Sequence, residues 1–254
     1  MRGWLGLYRT SVGLGSRYLI RQGYFREAVV RIVVPLDPSR YLELPETKRE
    51  LAARRGEKVL DLASPKLLAV QLAREGVAVT SVDLLAQEID RWRRLTPNER
   101  NLRFEVADGR ALRYEDAAFD HAYSISVLEH IPEGGDATAL NELARVVKPG
   151  GRIVITLPHA PTAYAEHRDR PLYGGENTFF QRWYDDAAVE RLAAAVPTLE
   201  LRSRKVARLQ PNLNAVYNRL FPWLVPLGPL FGLLARERAG PGGDVVRLTF
   251  TRRA

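Results

Sequence analysis

The 254-residue chain contains no cysteine, only four histidines, and a single methionine, at position 1. The first absence excludes disulfides, thiolate nucleophiles, iron–sulfur clusters and thiolate zinc sites. With so few histidines, a His-built centre has little to draw on, and no metal is expected. Blocks of like charge are missing too: no basic run is longer than a pair such as Arg54-Arg55 or Arg93-Arg94. No apolar run reaches the roughly 20 residues that a spanning helix needs. One further gap concerns a single loop. Residues 62–67, between an apolar strand and a helix, hold no glycine where a nucleotide-binding turn would have several.

What is present describes a globular chain, with 46% hydrophobic and 27% charged residues, long enough for one large domain with a substantial core. The net charge is +8 and comes from arginine far more than lysine. Such a balance suits nucleic acid or an anionic membrane surface. The arginines are scattered through every segment, however, which fits GC-rich codon usage better than a nucleic-acid footprint. The basic and partly apolar N-terminus is interrupted by Arg9, Arg17 and Arg21 before a signal-peptide core can form. A cytoplasmic location is therefore expected.

Helical periodicity runs from Arg17 to Val34 and stops at Pro35-Leu-Asp-Pro38. A second helix is expected from Pro45 to Gly56. From there strands and helices alternate. The expected strands are Val59–Leu62, Val77–Val82, Leu102–Val106, His121–Ile125 and Ile153–Leu157. The expected helices are Pro65–Glu75, Ala86–Arg94, Asp136–Val147 and Asp185–Ala195. Two late runs, Leu199–Leu209 and Val245–Thr251, alternate polar and apolar residues as an antiparallel edge does. The pattern predicts an α/β fold with a doubly wound, mostly parallel, seven-stranded sheet and an antiparallel last strand. Its expected parts are an N-terminal helical cap over residues 1–44 and one domain over 45–254, which carries an apolar insertion at 210–243.

Acidic residues close the first three strands in order: Asp61 in KVLDL, Asp83 in VTSVD and Asp108 in FEVAD. A carboxylate at a strand's carboxyl end, about 20 residues past the first loop, is placed to accept both hydroxyls of a ribose. Asp83 lies twenty residues beyond Ala63. One such acid is a weak sign, since aspartate often ends strands; three in register are more specific. The loop Ala63-Ser64-Pro65 reads as a capped helix start, with Ser64 as N-cap and Pro65 as first helical residue. Its free amides could receive a carboxylate, with Lys66 adding charge. It is poorly suited to a pyrophosphate, which needs close backbone approach.

The succession KVLDLASPK, SVDL, FEVADGRAL, FDHAYSISVLEHI and ELARVVKPGGRIVITLP resembles the class I S-adenosylmethionine-dependent methyltransferases. It is closest to the small-molecule branch with V-L-E-H after the fourth strand. The likeness is good over residues 58–158 and absent at 1–44 and 210–243. The family usually shows D-x-G-x-G-x-G, against Ala63, Pro65 and Leu67 here. By position, the resemblance implies that Asp61, Ala63, Ser64 and Pro65 hold the methionine portion of S-adenosylmethionine. Asp83 would bind the ribose and Leu84 would lie against the adenine. Ala107, Asp108 and Gly109 would hold the adenine edge, while Ser124 and Ser126 line the methyl-donor end. S-adenosylhomocysteine would be the product. The fourth strand ends in Ser-Ile-Ser rather than Asn/Asp-Pro-Pro-Tyr, which argues against methylation of a DNA base.

Methyl transfer from a sulfonium is an in-line displacement, in which proximity and exclusion of water do most of the work. The candidates for a general base are His159, just beyond the last parallel strand, and His130 in LEHI. Tyr164 is a further candidate, and His167, Tyr173 and Glu176 read better as a solvated loop. The uncharged tract 220–235 has three readings: core packing against the N-terminal helices, a lid over an apolar substrate, or peripheral contact with the inner face of a membrane, favoured by Arg219, Arg236 and Arg238. A small apolar acceptor is the expected partner and nucleic acid is not. RNA methylation and a catalytically inactive binding module stand as alternatives, and the sequence carries no sign of an oligomeric state.

Overall fold

The computed structural model describes residues 3–21, 40–132, 134–169, 178–208, 236–237 and 245–254. Two helices, α1 (Gly3–Arg21) and α2 (Arg40–Leu51), precede the first strand. The alternating part follows as β1 (Lys58–Leu62), α3 (Leu67–Arg74), β2 (Ala78–Asp83), α4 (Ala86–Leu95), β3 (Leu102–Val106) and β4 (Phe119–Ile125). A single 3-10 turn, Leu128–His130, leads to α5 (Gly135–Val146) and β5 (Val147–Pro158). Then come β6 (Tyr164–His167), β7 (Phe179–Trp183), α6 (Asp186–Ala194), β8 (Leu199–Arg208), β9 (Arg236–Glu237) and β10 (Val245–Arg252).

The main sheet has the order β3-β2-β1-β4-β5-β10-β8-β9. Its first five strands are parallel, and β10 runs antiparallel between β5 and β8. Seven full strands thus form the expected sheet, extended by the two residues of β9. The near-continuous apolar character of β1, β4 and β5 follows from burial on both faces. Successive side chains alternate between those faces. Leu60, Leu62, Ala122 and Ile155 meet Leu140 and Leu143 of α5 and Val189 and Leu192 of α6. Val59, Tyr123, Ile125 and Val154 meet Leu68 and Leu72 of α3, Ile89 and Trp92 of α4, and Leu7, Leu14, Leu44 and Leu51 of the two leading helices. Strand order reverses between β1 and β4, and ligands of such sheets bind outside the carboxyl ends at that point.

Three local expectations are corrected. Helix α2 begins at Arg40 rather than Pro45 and ends at Leu51, with Ala52 left-handed at φ 48°. Pro45 therefore lies inside it, and the expected boundary at 44/45 falls within one helix. Long-range contacts outweigh the proline signal here. Glu46 pairs with Arg247 of β10 (3.5 Å), Glu50 with Lys205 of β8 (2.6 Å), and Thr47 is fully buried. Helix α3 starts at Leu67, with Lys66 rather than Ser64 at the N-cap position and no side-chain cap, because the Ser64 hydroxyl is used elsewhere (below). The stretch read as a solvated loop contains the antiparallel ribbon β6–β7, in which Tyr164 stacks on Trp183 at 5.6 Å. The expected helix over 17–34 coincides with the described residues only at the end of α1. The tract 210–243 lies outside them except at β9. No helix among the described residues is long and apolar enough to cross a membrane.

Candidate active site

The switch point is bounded by the ends of β1 and β4, and each strand ends in a residue of unfavourable backbone. Ala63 has φ 52° and Ser126 has φ 53°. Side chains with a Cβ resist this region by about 1–2 kcal/mol, and such outliers gather at functional sites. Ala63 thus adopts a conformation that favours glycine, and its N–H is held by Val82 O at 2.8 Å. Ser64 then turns inward: its Oγ accepts from Ile125 N (2.9 Å) and donates to Leu62 O (3.3 Å). The hydroxyl so joins the β1 loop to β4. Pro65 is half-buried above it.

Asp61 is fully buried. Its carboxylate accepts from Ser81 Oγ (2.6 Å) and Ser64 N (3.2 Å). Burial raises its pKa, against the opposing pull of Lys66 and these hydrogen bonds. Lys66 is only 3% exposed; its ammonium lies 3.3 Å from Asp83 Oδ2, 3.7 Å from Asp61 Oδ2 and 3.3 Å from Val82 O. The lysine expected to add charge at a helix end instead bridges two strand-end acids. Nothing in the sequence shows that inward turn, which depends on the carboxylates being neighbours across β1 and β2.

The other Asp83 oxygen accepts from Leu85 N at 3.0 Å. Beside it, Leu84 is 57% exposed, and so is Val106 at 52%. Val106 is the register partner of Asp83 on β3. Two exposed aliphatic side chains flanking a carboxylate suit a flat aromatic base above a ribose. Val106 was not predicted from sequence, where it reads as an ordinary strand residue. Ala107 N donates to Asp83 O (3.0 Å). Asp108 is gripped by Arg110, whose Nε and Nη2 reach its two oxygens at 3.1 and 2.8 Å, and this pairing lowers its pKa. A Cβ on Gly109 would come within 2.8 Å of Leu62 Cδ1, so this turn packs directly on the end of β1.

At the end of β4, Ser124 is fully buried and donates to Leu62 O (3.1 Å). Ser126 is more open and meets α2. Its Oγ donates to Glu43 Oε1 (3.1 Å) and lies 3.2 Å from Arg40 Nη1. Thr156 Oγ1 of β5 donates to the same Glu43 oxygen at 3.0 Å. Arg40 and Glu43, both from the N-terminal part, therefore join the site, a connection that no local sequence signal announces. Next to them the buried Glu129 has a pKa pushed up to about 8, chiefly by desolvation and further by Glu43. His130 Nδ1 lies 2.6 Å from Phe180 O of β7, and burial lowers its pKa. His159 is buried, with Nε2 held 2.9 Å from Asp186 at the start of α6. His167 is exposed, edge-on to Phe179, and Tyr173 and Glu176 lie outside the described residues. No group of three or more acids or histidines that could hold a metal occurs among the described residues.

This donor set can be tested against a ligand. A buried lysine among acids, a carboxylate flanked by exposed Leu84 and Val106, and a helix start two residues late do not make a pyrophosphate cradle. They fit a nucleoside that carries no phosphate. The comparisons agree. Residues 60–155 match the family described as "Methyltransferase domain". A demethylmenaquinone methyltransferase of Corynebacterium kroppenstedtii is 32% identical over 133 residues, 50% of this chain and 55% of that one. A 2-methyl-6-phytyl-1,4-hydroquinone methyltransferase of Synechocystis is 38% identical over 80 residues, 32% and 24% of the two chains. The match spans about half or less of these curated relatives. Among solved structures, 1,6-didemethyltoxoflavin-N1-methyltransferase of Burkholderia thailandensis, with bound 1,6-didemethyltoxoflavin and S-adenosylhomocysteine, superposes with a TM-score of 0.57. It is 18% identical and covers 95% of this chain and 88% of its own. The domain match at residues 60–155 covers β1 to β5, the strands whose order and terminal acids form this switch point.

Proposed function

We propose that this chain transfers the methyl group of S-adenosylmethionine to a small, hydrophobic, hydroxylated aromatic acceptor of the hydroquinone kind. The observation that carries the donor half is the alignment of Asp61, Asp83 and Asp108 along the carboxyl ends of β1, β2 and the loop after β3. The acceptor half is supported by the printed functions of the relatives, which act on demethylmenaquinone and on a phytyl hydroquinone. It is also supported by the β6–β7 ribbon, where Tyr164 is 51% exposed and stacks on Trp183. Through the contact of Phe180 with His130, this aromatic surface is tied to the turn that follows the donor end.

In this reading the bound cofactor supplies an electrophilic methyl on a sulfonium, and the chain's residues supply position. Asp83 accepts from the ribose hydroxyls, with Leu84 and Val106 against the base. Asp61 and Lys66 fix the loop under the methionine portion. Ser126 and the α2 clasp close the donor end and exclude water. His130, held by Phe180, and His159, held by Asp186, orient the acceptor wall. A cytoplasmic location is part of the proposal, with the apolar tract 220–235 approaching a membrane surface where a lipid-soluble acceptor dissolves.

The RNA alternative rests on net charge. Many arginines are committed to partners, as in Arg74–Glu99 (2.6 Å), Arg145–Glu142 (2.8 Å) and Arg182–Asp136 (2.8 Å). The test is methyl transfer from labelled S-adenosylmethionine to a short-prenyl hydroquinone in detergent micelles and, separately, to total RNA. Label on the hydroquinone supports the proposal. Label on RNA alone, with affinity falling steeply in salt, would replace it.

A further inference from the structure

Glu129 is a buried acid without a countercharge of its own. It is 2% exposed, and its Oε2 has no hydrogen-bond partner among the described residues. It stands three residues past the left-handed Ser126, beside the switch point. Every neighbouring group that could neutralise it is engaged. From α2, Glu43 raises the Glu129 pKa and Arg40 lowers it, and the two pair with each other at 2.5 Å. From its own turn, His130 Nε2 lies 3.9 Å away, too far for a hydrogen bond, and burial disfavours the charged form of that ring. From the ribbon, Arg168 and Glu166 act on His130. From the start of α5, Asp136 is taken up by Arg182 and the Tyr184 hydroxyl. On the β5 side stand the neutral Thr156 and the Asp186-bound His159. Buried charges are ordinarily paired, so an acid left here is either neutral or awaits a cation.

We propose that Glu129 is the charge-recognition residue for the methyl donor: it is protonated in the free protein, loses its proton when a sulfonium is placed beside it, and so separates the cationic donor from the uncharged sulfide product. The inference rests on the donor assignment above and goes beyond it. The proton goes to solvent on donor binding. Once the methyl has left and the sulfur is neutral, the carboxylate regains a proton, which lowers the site's preference for its own product. Asp61, the other buried acid with a raised pKa, does not mimic this behaviour, because the α-amino group is common to donor and product.

A carboxyl group with a pKa of about 8 is roughly nine-tenths protonated at pH 7. Calorimetry at pH 7 in two buffers of different ionisation enthalpy counts the protons released on binding. The expected result is close to one proton for S-adenosylmethionine and near zero extra for S-adenosylhomocysteine. The preference for donor over product should strengthen by up to about 50-fold from pH 6 to pH 8. In Glu129→Gln the difference between the ligands should vanish. In Glu43→Gln, which removes the like charge, release should be smaller. Equal release for both ligands, or release unchanged in both variants, overturns the inference alone. Failure of either ligand to bind the wild-type chain removes the donor assignment and this inference with it.

Discussion

Lys66→Met keeps most of the buried stem of the side chain and deletes the charge that holds Asp61 and Asp83 together. Breaking a buried ion pair by removing one partner costs about 3–5 kcal/mol, because the remaining charges stay buried and unpaired. The site points to the lower end of that range. The Asp83 side chain keeps 12% exposure, and Asp61 retains its bonds from Ser81 and Ser64. A loss of about 3 kcal/mol is therefore expected at pH 8. The loss should shrink in acid. Lys66 opposes the upward push of burial on the Asp61 pKa, so its removal raises that pKa further. An acid whose folded pKa is raised contributes stability that is present below its unfolded value and lost as pH rises through the folded one. The loss at pH 5 should therefore be smaller than at pH 8. Urea unfolding at both pH values, with an unchanged slope, measures this. A loss below about 1 kcal/mol at pH 8, or the same loss at pH 5 and pH 8, would refute the reasoning. Asp61→Asn added to Lys66→Met should recover most of the deficit at pH 8.

Three further outcomes follow from the same geometry. Ala63→Gly relieves a left-handed alanine at φ 52° and should stabilise the chain by about 0.5–1 kcal/mol, after allowing for glycine's freer unfolded state; destabilisation on thermal melting would mean that the Cβ packs favourably. Ser64→Ala strands the Ile125 N–H that its hydroxyl accepts, with an expected cost of about 2 kcal/mol; a neutral result would show that β4 and the β1 loop are joined by other contacts. Glu129 carries the pH dependence. Its carboxyl is raised from 4.5 to about 8, so its contribution is full below the unfolded value and lost as pH rises toward the folded one. Between pH 6 and pH 8 the wild type should lose about 2 kcal/mol more stability than Glu129→Gln. Parallel stability curves for the two proteins would place Glu129 in contact with water.

The sheet and its acids were legible because parallel strands buried on both faces read as apolar runs, and because Asp61, Asp83 and Asp108 each end one. The conformation of the β1 loop was not. Ser64 and Pro65 carry the local signals of a helix start, yet the hydroxyl is claimed by Ile125, 61 residues away, and the helix begins two residues later. Lys66 reads as an ordinary basic residue near a helix end; its burial depends on two carboxylates brought together by strand pairing. Helix α2 was mistimed because Pro45 is a strong local signal. Glu43, Glu46 and Glu50 hold the helix to β5, β10 and β8 through partners more than a hundred residues away, which no local pattern shows. The role of Arg40 and Glu43 at the donor end is non-local in the same sense.

Binding of the donor and its product, with Asp83 as the probe, tests the central assignment most directly. Titration calorimetry should show both S-adenosylmethionine and S-adenosylhomocysteine binding at one site. Asp83→Ala should weaken both by about 1.5–3 kcal/mol, or roughly 10- to 150-fold, as expected for lost charged hydrogen bonds to the ribose. Binding of neither ligand, or an affinity unchanged in Asp83→Ala, would contradict the account.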